Sequence, residues 1–130
     1  GTDRLVSGML DFGSWLQASF VCGTQSAAVQ RVHILGSEGR IEILMPFNPI
    51  PENPAIIRVA GQKQPGVDDA REIKFPICNH YTLQGESATA IFKGESPVDY
   101  PIEDGIANMQ ILDAMARSAK TGSWEMVSPR

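Results

Sequence analysis

Residues 5–45 decide the fold: LVSGMLDFGSWLQASFVCG (5–23), then VQRVHILGSEGRIEILM (29–45). In the first stretch Val6, Gly8, Leu10 and Phe12 fall on one side of an extended chain. After Gly13-Ser14, Leu16, Ala18, Phe20 and Cys22 do the same, while Gln17 and Ser19 point the other way. A period of two marks half-buried antiparallel strands, and the short glycine turn makes the pair a hairpin. The second stretch repeats the pattern. Val32 and Ile34 share a face, Gly36–Gly39 is a turn, and Ile41 and Ile43 share a face again. Residues 5–45 therefore predict at least four strands of one sheet.

Downstream, Pro46, Pro49, Pro51 and Pro54 exclude helix and central strand, so this segment is expected to be an ordered extended loop. Ile56–Val59 and Glu72–Phe75 are short strand candidates flanking a polar loop, Gly61–Ala70, expected to be the most mobile part of the chain. Two helices end the pattern. The first runs from about Tyr81 to Lys93 and stops at Gly94. The second starts at Pro101, with Glu103 and Asp104 at its positive end, Arg117 and Lys120 at its negative end, and Gly122 to terminate it. Ile102, Ile106, Met109, Leu112 and Ala116 make its apolar stripe, and Trp124–Val127 is expected to return as an edge strand. Strands first and helices last predict a single α+β domain over 1–130, a mostly antiparallel open sheet with both helices on one face.

Composition narrows the function. A net charge of −4 without a lysine or arginine cluster argues against a nucleic-acid or anionic-membrane footprint. No apolar run is long enough to span a bilayer. Cys22 and Cys78 lie far apart in no metal or redox spacing, which favours buried reduced thiols and a cytoplasmic setting. The chain begins without methionine and its first residues already look like a strand, as a piece of a longer protein would.

Residues able to carry chemistry are sparse. The nearest glycine pair, Gly36 and Gly39, joins two strands, so it does not make the strand–glycine turn–helix that binds a dinucleotide. His33 lies in a strand without a suitably spaced acid or second histidine. Asn79, His80 and Tyr81 form a polar, aromatic triplet ahead of the first helix, suited to a cleft or, for Asn79, to a helix cap. Asp68-Asp69 and Glu103-Asp104 have ordinary loop and helix-end explanations. No catalytic residue, metal cluster or cofactor site is expected in this chain.

Nearly the whole chain is similar to one family. DRLVSGMLDFGSWLQASFVCGTQ, QRVHILGSEGRIEILMPFNPIPENP, YTLQGESATAIFKG and PIEDGIANMQILDAMARSAKTGSWE together resemble the C-terminal domain of the Gfo/Idh/MocA oxidoreductases. RVHILGSEGRIEI and PIEDGIANMQILDA are the specific parts, and the nearest branch resembles the xylose and dimeric dihydrodiol dehydrogenases. The resemblance implies a parent enzyme whose Rossmann domain binds NAD or NADP and which oxidises a sugar, polyol or dihydrodiol. It implies that this domain supplies part of the substrate pocket and the dimer interface and is inactive alone. The family's Glu-Lys-Pro and Asp-x-x-x-His motifs do not occur here, so no catalytic residue carries over. Asn79, His80, Tyr81 and Gln84 are the possible substrate-side residues. Trp15 departs from the small turn residue common in relatives, and Ser87 from a bulkier apolar one.

One further expectation comes from alternation. Leu5, Met9, Trp15 and Val21 lie on the sheet side that the helices leave open, which suggests a homodimer through that face. The alternative reading is a free-standing dimerisation or small-ligand-binding module without an enzymatic partner domain.

Overall fold

The computed structural model describes residues 3–61 and 69–127. Its elements, in chain order, are β1 (Leu5–Asp11), β2 (Gln17–Gly23), β3 (Val32–Leu35), β4 (Gly39–Ile43), β5 (Ile56–Gly61), β6 (Arg71–Lys74), α1 (His80–Phe92) and α2 (Ile102–Thr121). The fold is α+β with antiparallel pairing throughout. The strands form two sheets, β1-β2 and β3-β4-β5-β6, where one was expected. Each hairpin has the anticipated partners, but alternation within a strand specifies a face and says nothing of which hairpins share an edge. Most of the loop expected over Gly61–Ala70 lies outside the described residues.

The chain divides into two compact units. The first joins residues 1–27 to 98–130 and so contains the β1-β2 hairpin and α2. The second, 28–97, contains the four-stranded sheet and α1.

In the first unit the hairpin pairs Gly8 with Phe20 and Leu10 with Ala18 on its inner face, as alternation requires. A side chain at Gly8 would meet the Phe20 ring and the Met115 methyl of α2, so glycine is what lets ring and helix settle over this spot. The α2 residues that bury are Ala114, with Ile111, Met115 and Ser118 half-buried around it. This corrects the expected stripe. Ile102, Ile106, Met109 and Leu112 are exposed, on the opposite side of the helix. Both sides of α2 are apolar, so a helical period alone has two solutions, and the adaptable Met115 is the residue that reaches the hairpin, at Gly8.

The hairpin tip is longer than the expected Gly13-Ser14 turn and takes in Trp15. Gly13, Ser14 and Trp15 all have positive φ, at 74°, 49° and 70°. Leu16 N–H donates to Gly13 O at 2.9 Å, and Gly13 N–H donates to Asp11 Oδ1 at 2.9 Å. A bulky Trp15 in this region is strained, and its side chain is 103% exposed.

Trp124–Val127 is not a strand. The tail is tied to the last turns of α2 instead. Ser118 Oγ donates to Ser123 O at 2.7 Å, Thr121 Oγ1 to Glu125 Oε1 at 3.1 Å, and Arg117 pairs with Glu125 at 3.5 Å. Cys22 and Cys78 are free but exposed, which corrects the expected burial.

In the second unit, Val32, Ile34, Ile41, Ile43, Ile57, Val59 and Ile73 share one face of the sheet by register. The other face is charged. His33 stands opposite Glu42, Glu42 opposite Arg58, and Arg58 opposite Glu72, a row crossing all four strands.

Very little of either unit is closed off. Among the described residues the buried apolar core is Ala60 and Ala114, at 5% and 4% exposure. The chain exposes 11103 Å². A compact protein of this mass exposes about 6,700 Å², and two separate compact bodies divided at the unit bounds about 8,100 Å². Much apolar surface in this chain therefore remains without a cover.

Candidate functional site

Asn79 precedes α1 in an extended conformation, and its Oδ1 accepts from Tyr81 N–H at 3.0 Å and Thr82 N–H at 3.4 Å. It is a helix N-cap, satisfying two of the amides that a helix start leaves open. That accounts for its oxygen without any ligand. The first turn of α1 has no acidic side chain, so its positive end is uncompensated by a carboxylate.

His80 opens the helix and its ring lies on Tyr81, with centroids 4.0 Å apart and planes tilted by 38°. Both ring nitrogens are shielded from solvent and have no hydrogen-bond partner among the described residues. Shielding a polar atom without a partner costs free energy, so such a group calls for one. Tyr81 and Gln84 are exposed. The four sequence-selected residues thus share one helix start, where Asn79 shapes the backbone and His80 has unused polar capacity.

His33 acquires an acid that sequence spacing had not revealed. The β3-β4 register puts Glu42 across from it, with His33 Nε2 3.6 Å from Glu42 Oε1. The same carboxylate accepts from Arg31 Nη1 at 3.0 Å and Arg58 Nη1 at 3.3 Å. Glu72 continues the row with contacts to Arg58 at 3.9 Å and Lys74 at 3.7 Å, and Arg40 meets Asp69 at 3.7 Å. A carboxylate shared among three cationic or potentially cationic groups is held as a structural tie across the sheet; each contact on such a half-exposed face contributes modestly. The signal was available: a hairpin turn at Gly36–Gly39 counts back from Glu42 to His33. Gly36 N–H donates to Gly39 O at 2.9 Å, which makes those glycines a hairpin turn and not a phosphate cradle.

The proline-rich segment forms a cleft that sequence reading missed. Leu44, Met45, Pro49, Ile50, Asn53, Pro54 and Ile56 line about 280 Å³. The loop is anchored by Gln30 Oε1, which accepts from Phe47 N–H at 3.2 Å and Asn48 N–H at 3.0 Å. Asn53 N–H donates to Ile50 O at 3.0 Å across Pro51-Glu52. Prolines hold their φ and so keep such a loop in one shape, and apolar residues set between them make walls. The cleft has an apolar lining with a single amide, Asn53. It suits an apolar group and offers no acid or base. Among the described residues no cluster of three or more histidine, cysteine, aspartate or glutamate side chains could hold a metal ion, and no helix is long and apolar enough to cross a membrane.

No family model matches this sequence, and no solved structure matches it either. The chain is similar to the uncharacterized oxidoreductase ORF334 of Rhizobium meliloti, at 33% identity over 127 residues. The alignment takes in 98% of this chain, which spans 38% of that relative's length.

Proposed function

We propose that this chain is the substrate-side domain of an NAD(P)-dependent oxidoreductase of the Gfo/Idh/MocA type, acting in the cytoplasm on a sugar, polyol or dihydrodiol. One observation carries the reading: near-complete alignment of the chain with 38% of an oxidoreductase that has ample length elsewhere for a cofactor domain. The chain's own chemistry supports the division of labour. Its glycine pair closes a hairpin, and its charged row is tied up across a sheet, so cofactor and acid–base chemistry belong to the rest of the polypeptide. The exposed Tyr81 and Gln84 at the start of α1, beside His80 with its unpartnered ring, support assigning this segment to a hydroxylated substrate. The open hairpin face of Leu5, Met9 and Val21 is the surface proposed for two-fold pairing.

Calorimetry separates the halves. The 130-residue chain is expected to show no NAD(P) binding, whereas the whole polypeptide binds it and reduces it with a sugar, polyol or dihydrodiol. Saturable binding by the chain alone would overturn the reading. In the whole enzyme, His80→Ala is expected to raise KM about tenfold with a smaller change in kcat, as lost substrate contact does.

A further inference from the structure

We draw no further inference here: the strongest candidate, the apolar cleft of the proline-rich loop between β4 and β5, walled by Leu44, Pro49, Ile50 and Ile56, carries nothing because nothing in the structure shows what covers it.

Discussion

The four-stranded sheet and the hairpin unit meet the same problem in different ways. In β3–β6 the strands are tied sideways by a charged row, with Glu42 drawing Arg31, His33 and Arg58 together across three strands. In β1-β2 there is no comparable row. The hairpin depends on Gly8 letting Phe20 and Met115 come together, and on α2 covering one face. The sheet thus carries part of its stability within its own plane, whereas the hairpin draws more on layers stacked against it. Polar ties are local to a sheet, but apolar burial requires a second surface.

Glycine substitutions are the strongest way to break this comparison. At Gly39 a methyl group would collide with the backbone carbonyl of Ala60, which has nowhere to go without opening the β4-β5 ladder. Gly39→Ala is expected to destabilise the sheet by about 3 kcal/mol, the upper range for overpacking. At Gly8 the obstacle is the far end of the Phe20 ring, 2.7 Å from the new carbon, and a ring can turn aside. Gly8→Ala should therefore lower hairpin stability by about 1–2 kcal/mol. Hydrogen exchange resolved by unit measures both, and a larger loss at Gly8 would reverse the ranking.

Glu42→Gln probes the lateral tie. Loss of about 1 kcal/mol is expected at low salt, shrinking toward zero in molar salt as the half-exposed pairs are screened. Denaturant titration at two salt concentrations checks it, and a salt-independent loss would mean that packing outweighs charge. The smallest effect belongs to the hairpin tip. Trp15→Gly should raise hairpin stability by about 0.5–1 kcal/mol, because glycine takes φ near 70° without the strain a bulky residue carries. A loss instead would show that the exposed indole has a partner worth more than that strain.

Local features were the legible part. Strand alternation, the Gly36–Gly39 turn, the α1 cap at Asn79 and the left-handed Gly122 terminus all depend on neighbours within a few residues, and sequence spacing reports such contacts directly. The site was legible only in part. Asn79 to Gln84 could be chosen as a polar, aromatic group, but the shielding of both His80 nitrogens is a matter of three-dimensional packing that spacing does not report. Glu42 escaped notice as the acid for His33 because the eight residues between them hide the pairing until the hairpin register is counted. The proline cleft was hidden for a related reason: its walls come from both ends of a loop that spacing rules describe only as irregular.

What the sequence determined by itself is the α+β order of elements, their caps and turns, and the two faces of each strand. These follow from backbone sterics and hydrogen bonding over short range. Tertiary structure alone decided that the strands form two sheets, which of α2's two apolar sides packs on the hairpin, and that Glu42 is a hub. The reason is physical: a periodic pattern states that a side must be buried, but shape complementarity with a particular partner selects the side and the neighbour. On α2 the adaptable Met115 met Gly8 beside the buried Ala114, and the more strongly apolar Ile102–Leu112 stripe was left outward.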